Sequence, residues 1–309
     1  MAKREKQKKR KKPINWCTVA FIICCCALPV LQWLIFYVYA NLQAFTMAFT
    51  DRTGAFTFDN FIRLWKQLQN IDSELGIAIR NTVITFLISV VQYPFHIMVS
   101  YFLYKKIPGS KLFRVLFFLP SIIFSVAFAL TFKQIIGTDG FIAQAVARIQ
   151  GLDYIPTLLK DSRYANWVVL LHKVWIGFAG NIVIYGGAFA RIPDDVLESA
   201  RIDGVNWWQE FTKIIIPMVW PTVALHAVMM VCGIFNASGE VFLLTGGEYN
   251  TMTLSTWMYL QVYNVAGDIS TSNVFNYMSA VGMVMTIIAV AISLGVRKWT
   301  DKVFSGLEY

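Results

Sequence analysis

Six apolar stretches, each long enough to cross a bilayer as a helix, limit this chain more than any other feature of its sequence. They fall near residues 16–40, 77–104, 112–134, 166–190, 214–235 and 274–296, and a crossing needs roughly 20 apolar residues. Hydrocarbon offers the backbone no water, so a lone spanning segment must close its own hydrogen bonds as a helix. Composition agrees: 57% of the 309 residues are hydrophobic and 15% are charged, where soluble domains carry about 25% charged residues. The expected fold is an all-α integral membrane protein with six transmembrane helices. The first stretch is too long for a secretory h-region and has no small-x-small cleavage site, so it reads as a retained signal anchor.

Charge gives the direction. Eight Lys or Arg crowd into "MAKREKQKKRKK" before the first stretch, and further cations gather in "KKIPGSK", in the 191–213 loop and in "RKWTDK". The connection from 236 to 273 has none. The positive-inside bias then places both termini and the second and fourth loops in the cytoplasm. The net charge of +9 is mostly this anchor beside anionic lipid headgroups, so nucleic acid is not expected as a partner. The organisation reads as a basic cytoplasmic N-terminus (1–15), a signal-anchor helix with its external connection (16–76), a core membrane domain (77–296) and a cytoplasmic tail (297–309).

The external connections carry their own pattern. Phe58, Phe61, Ile62, Trp65 and Leu68 have helical spacing and imply a helix lying along the outer surface. "GFIAQAVARIQG" is a second such segment, bracketed by glycines. Cys17, Cys24, Cys25, Cys26 and Cys232 lack the spacing of a disulfide framework or a metal site and read as apolar filler. His96, His172 and His226 lie far apart within apolar stretches and read as core or pathway residues, so no metal is expected. No P-loop sequence occurs, and no nucleophilic or paired-carboxylate grouping stands out. No catalytic residues are expected.

The most charged run in the second half is "ESARIDGVNWWQEFTKIIIP", residues 198–217. Pro193, Asp194 and Asp195 suit a helix start, where the helix dipole favours negative charge. Gly204 suits the residue past that helix, where φ is often positive. Asn206 and Gln209, three apart, suit the cap of a second helix, and Pro217 and Pro221 are placed to bend it. Glu198 and Arg201 share an exposed face, while Val196, Leu197, Ala200 and Ile202 make up the apolar remainder. Such a helix could dock into a cleft on another protein or rest on lipid, and physics alone divides these readings evenly.

The spacing decides between them by resemblance. Glu198, Ser199 and Ala200, then Asp203-Gly204, then Ile214, Ile216 and Pro217 resemble the EAA loop of bacterial ABC-importer permease subunits, with Ser199, Val205 and Ile216 as the departures. "NTVITFLISVVQYP", "KLFRVLFFLPSII" and "FLLTGGEYNTMTLSTWMY" are similar to segments of carbohydrate-importer permeases of the maltose and multiple-sugar type. Their Leu-Thr-x-Gly-Gly-Pro element is present as Leu244 to Gly247, with Glu248 in place of proline.

This resemblance implies a type I ABC-importer permease fold in the bacterial plasma membrane, with the EAA loop (191–217) as a cytoplasmic coupling helix. It implies a non-catalytic subunit forming half of a translocation pathway for a sugar or oligosaccharide. The partners implied are a second homologous permease, two copies of a cytoplasmic ABC ATPase holding the ATP and Mg, and an extracellular solute-binding protein. No cofactor is implied in this chain. The rival is an ion-gradient-driven secondary transporter or channel subunit, which commonly carries mid-membrane carboxylates. None lies in the six stretches as drawn, although Lys173 does and is expected to snorkel outward.

For the solute pathway, Asn181 and Tyr185 share a face of the fourth span, and Asn236, Ser238 and Glu240 follow the fifth. An interhelical hydrogen bond is the simpler fate of Asn181. Gly177, Gly180, Gly186 and Gly187 are expected to let helices approach closely. Glu210, outside the matched motif positions, is expected to matter less than Glu198. The orientation itself is open to test: a membrane-impermeant thiol reagent added outside should reach Thr251→Cys but not Ser199→Cys.

Overall fold

A computed structural model describes residues 16–151, 157–236, 239–264 and 272–305. The basic segment 1–15, Ser238 and residues 306–309 lie outside them. Fourteen α-helices can be numbered in chain order: α1 (Trp16–Trp33), α2 (Ala40–Ala48), α3 (Asp59–Leu68), α4 (Glu74–Tyr104), α5 (Ser110–Ile122), α6 (Ser125–Ile136) and α7 (Phe141–Gln150), then α8 (Ala165–Phe189), α9 (Asp194–Ile202), α10 (Trp207–Gln209), α11 (Ile216–Cys232), α12 (Gly239–Leu244), α13 (Leu254–Tyr263) and α14 (Ser272–Ser305). Among the described residues the only β-pairing is an isolated antiparallel bridge between Thr50 and Phe56.

Six helical stretches are long and apolar enough to cross a membrane. Because crossings alternate, the 105–109 turn, the 190–206 loop and the end of α14 share one side, here called the basic face. The 49–73 connection and the described parts of the other two, 137–151, 157–164, 233–236 and 239–264, share the opposite face.

The first crossing runs further than its apolar pattern implied, from α1 through a π-helical segment (Leu34–Tyr39) into α2. The third differs more. It could be drawn as Ser125–Gln150 by length and composition, but Gly137 to Gly140 interrupt that stretch. We therefore take α5 and α6 together as the crossing. They are separated by two extended residues, Ile123 (ψ 137°) and Phe124 (ψ 129°). Pro120 precedes this break; its ring has no N–H and leaves the Leu116 carbonyl without its helical partner. The Trp175 indole N–H of α8 donates to that carbonyl at 3.3 Å. A neighbouring side chain thus takes over the bond that the proline removes.

α4 packs chiefly on α8, and α14 on α2 and α11. On the basic side, Ile97 and Tyr101 of α4 meet Tyr185 and Phe189 of α8, Leu197 of α9, and Phe211 and Ile215 of the segment that follows α10. On the opposite side, Leu75 and Ala78 of α4 meet Trp257 of α13 and Tyr277 and Val281 of α14. Polar contacts fasten the middle. The Gln92 amide donates to Val174 O at 2.6 Å, and the Tyr93 hydroxyl donates to Val223 O at 2.5 Å.

Three sequence expectations change. α3 forms where its pattern placed it, but Asn60 and Leu64 turn inward while Ile62 and Trp65 stay exposed. The Asn60 amide donates to Ala48 O and Thr50 O, both at 3.1 Å, so a polar anchor and not the apolar stripe sets its face. Of the four α8 glycines, only Gly177 stands against a neighbour: a Cβ there would meet Gln92 Nε2 at 3.3 Å, whereas Gly180, Gly186 and Gly187 face open space. Finally, Thr251 is fully buried, whereas Asn250 beside it is exposed. In a background without native cysteines, Asn250→Cys should be labelled from outside intact cells, Ser199→Cys should not, and Thr251→Cys should react slowly from either side. Labelling of Ser199→Cys from outside would reverse the orientation.

Candidate functional site

The 190–217 loop is built almost entirely by local rules. Pro193 caps α9 in an extended conformation (φ −61°, ψ 135°), and Asp194 and Asp195 occupy its first turn, where negative charge meets the positive end of the dipole. At the other end Gly204 adopts φ +72°. Its N–H returns to Arg201 O and that of Val205 to Ala200 O, each at 3.1 Å, the two bonds of a Schellman motif. A Cβ on Gly204 would meet nothing within 4 Å. The glycine is there for its backbone conformation, not for space.

Asn206 then starts α10 with a capping box. Its side chain accepts from Gln209 N at 2.9 Å, and the Gln209 side chain accepts from Asn206 N at 3.2 Å. The chain enters the membrane through a π-helical turn, Glu210–Ile215, in which Ile216 N–H bonds Phe211 O five residues back. Pro217 follows directly. Its ring would crowd the Lys213 carbonyl in a regular helix, and the wider turn sits where that crowding falls.

Burial sorts the motif residues. Leu197 and Ala200 are each 5% exposed and pack inward, whereas Ile202 is 86% exposed and Val196 is also open. The apolar remainder of α9 therefore splits between the two faces. Glu198, Ser199, Asp203 and Gly204 line the outward side with Arg201, and Ile214, Ile216 and Pro217 are half-buried. Glu210, outside the matched motif positions, is only 6% exposed and is ion-paired with Lys105 at the end of α4.

The described solute-pathway candidates fall in separate surroundings. The Asn181 amide donates to Gly177 O of its own helix at 2.6 Å, so the expected interhelical bond is absent, and its Oδ1 is buried with no partner among the described residues. Tyr185, four residues on, is completely buried. Its hydroxyl donates to the Tyr93 hydroxyl at 2.8 Å and lies 2.9 Å from His226 Nδ1, which makes it a junction of α4, α8 and α11. His172 packs against the Phe128 and Phe132 rings, and His96 against Phe178, as core histidines do.

Asn236 lies in a short 3-10 turn (Ile234–Asn236). Glu240 is half-buried on α12, which packs against α8. Lys173 is half-buried on α8. Sequence reasoning had placed Glu240 beyond the span and could not see that α12 folds back toward α8.

A cavity of about 550 Å³ opens on the opposite face, lined in part by Lys133, Lys160, Thr245, Glu248 and Tyr249. Asn181, Tyr185 and Glu240 do not line it, but the Leu-Thr-Gly-Gly-Glu element does. Gly246 and Gly247 have φ of 68° and 91° there. Glu248 N–H donates to Thr245 O at 3.3 Å, a bond that a proline at this position could not make.

A six-crossing helical fold with a capped amphipathic loop on its basic face defines a multi-pass permease subunit of the ABC-importer type. Two solved structures share this fold. One is of a bacterial ABC transporter involved in the import of the acidic polysaccharide alginate (TM-score 0.75, 21% identity, 93% of this chain and 98% of that chain). The other is of a bacterial alginate ABC transporter in complex with an alginate pentasaccharide-bound periplasmic protein (TM-score 0.74, 21% identity, 93% and 96%). The chain belongs to the family of binding-protein-dependent transport system inner membrane components, whose pattern matches residues 92–305.

Among its relatives, the multiple sugar-binding transport system permease protein MsmF of Streptococcus mutans is 28% identical over 86% of this chain and 90% of the relative. The lactose transport system permease protein LacF of Rhizobium radiobacter is 29% identical over 84% and 87%.

The tyrosine junction makes a stability prediction. Tyr185→Phe removes the hydroxyl that Tyr93 and His226 share and should cost about 1–2 kcal/mol. The change is read as a lower thermal unfolding midpoint of the purified protein in detergent. An unchanged midpoint would mean that the junction holds nothing.

Proposed function

We propose that this chain forms half of the translocation pathway of an ATP-driven importer for a sugar or oligosaccharide. In this reading it is non-catalytic. A second homologous permease completes the pathway, two copies of a cytoplasmic ABC ATPase hold ATP and Mg, and an extracellular solute-binding protein delivers the substrate. Both termini and the 190–217 loop face the cytoplasm, with the cavity beside the Leu-Thr-Gly-Gly-Glu element open to the outside.

The observation that carries this reading is the shape of α9. A nine-residue helix is fixed at one end by Pro193 and at the other by the Gly204 motif, and it presents Glu198, Arg201 and Ile202 outward together. A helix with its inward face packed and an apolar residue left 86% exposed at its rim is made to enter a cleft. The carbohydrate class is supported by the multiple-sugar and lactose permeases among the relatives, together with the alpha-glucoside transport system permease protein AglF of Rhizobium meliloti.

Purified alone, the chain should hydrolyse no ATP. Co-expressed with its second permease and ATPase, it should support hydrolysis that rises when loaded binding protein is added. Glu198→Lys should weaken co-purification of the ATPase by about tenfold or more, since a reversed charge at a docked contact commonly costs 2 kcal/mol or more. Gly204→Pro should abolish uptake while the chain still inserts, because proline cannot adopt φ near +70°. Full ATPase binding and full uptake by Glu198→Lys would reduce α9 to a helix resting on lipid, and proton-driven uptake without an ATPase would replace this reading with the ion-gradient one.

A further inference from the structure

Glu210 is the only Asp, Glu, Lys or Arg buried in the core among the described residues. Its partner Lys105 caps the C-terminal end of α4 and has a side chain 23% exposed. Aromatic packing surrounds the pair: Phe102 lies 5.5 Å from Trp207, Tyr101 lies 5.1 Å from Phe211, and Lys105 Nζ stands 5.9 Å from the Tyr101 ring. Two apolar side chains of similar size would hold these elements together at least as well, because burying charge offsets most of what the pair returns. What an ion pair adds is selectivity. Glu210 is ion-paired with one cation in one place, which fixes the register of the 206–215 segment against α4.

The far end of the same helix is fastened as specifically. The Asn81 amide donates to Asn250 O at 2.6 Å and to Met252 O at 3.0 Å, and Thr82 Oγ1 accepts from Leu254 N at 2.9 Å. The turn they hold is strained. Besides Gly246 and Gly247, two residues with side chains, Tyr249 (φ 54°) and Asn250 (φ 59°), adopt the left-handed conformation. Backbone of this kind persists only where its surroundings over-determine it, and it concentrates where chains switch or bind. From Asn81 to Lys105 the helix rises about 36 Å, comparable to the roughly 30 Å hydrocarbon core. Gln92 and Tyr93, just before Pro94, tie its middle to α8 and α11.

We propose that α4 is the rod that carries displacement of the ATPase-docking loop across the membrane to the external turn 245–251. Glu210 and Lys105 are the positioning residues at one end and Asn81 at the other. This rests on the import reading above. When the ATPase shifts α9, the 206–215 segment moves with it, and the ion pair obliges α4 to follow. The pull on Asn81 and Thr82 changes the strained turn that borders the external cavity. Coupling free energies are reciprocal. A loaded binding protein pressing on that turn therefore acts back along α4 on the ATPase.

The test uses the full complex of this chain with its second permease, ATPase and binding protein in proteoliposomes. Wild-type complex must first show ATP-dependent uptake; failure at that step overturns the import reading itself and the rod with it. With wild-type uptake established, the variants address the rod alone. Glu210→Ala should retain the ATPase through purification and keep basal hydrolysis. Its stimulation by loaded binding protein, and its uptake per ATP hydrolysed, should fall by about tenfold. Asn81→Ala should uncouple to a similar extent from the other end.

The exchange Lys105→Glu with Glu210→Lys should restore most of the stimulation. It also carries the test if Glu210→Ala is poorly inserted. Normal stimulation in Glu210→Ala or in Asn81→Ala overturns the proposal. So does loss of ATPase binding in step with uptake in Glu210→Ala, which would make the pair a support of the docking loop only. An exchanged pair that assembles and stays uncoupled overturns it as well.

Discussion

Inside a bilayer every backbone N–H and C=O must find its partner within the protein, and the architecture follows from how this chain meets that demand. Regular helix meets it without help, so the crossings are helices. At three breaks in the ladder a particular side chain or a change of pitch makes the repair. Trp175 bonds the carbonyl that Pro120 releases. A π-helical turn precedes Pro217. The Arg114 guanidinium donates to Leu103 O at the end of α4, at 2.9 Å. The two side-chain repairs each reach across from a different element, so closing the backbone ladder there also fixes which helices are neighbours.

The same economy explains why so few side chains hold the bundle together. Lipid tails are as apolar as leucine, so apolar contact alone gives two membrane helices little reason to choose each other. Choice falls to the polar atoms. Asn81, Gln92 and Tyr93 on α4 bond main-chain oxygens of the 250–252 segment, α8 and α11 respectively. Asn276 of α14 bonds Thr50 O and Asp51 O, and Trp220 of α11 bonds Thr300 O. Most of these are amide or indole donors meeting carbonyls, a pairing that tolerates burial without charge. α4 holds the largest share of them, which makes it the natural link between the two faces.

Charge is used more sparingly, and its placement separates two roles. Glu198 and Arg201 stay exposed on α9, where they can be read by a partner. Glu210, twelve residues after Glu198 in the same loop, is withdrawn into the protein and answered by Lys105. One loop therefore carries a face for recognition and a fastening to its own core. The Gly204 turn between them allows both.

The sequence by itself determined what depends on neighbours within about five residues. The Pro193 start of α9, the Gly204 exit and the Asn206–Gln209 capping box are all backbone satisfied by nearby side chains or nearby carbonyls, so spacing alone announced them. The crossings were legible for the same reason, since hydropathy and helix length are local properties.

Only the tertiary structure decided which faces meet. α3 buries Asn60, held by the Ala48 and Thr50 carbonyls, beside Leu64, while Trp65 stays outside. Four glycines on α8 look alike in sequence, yet Gly177 alone stands against Gln92, because only it faces α4. By sequence Glu210 simply stood outside the matched motif positions. Its burial depends on Lys105, more than a hundred residues earlier in the chain, and no local rule brings those two together.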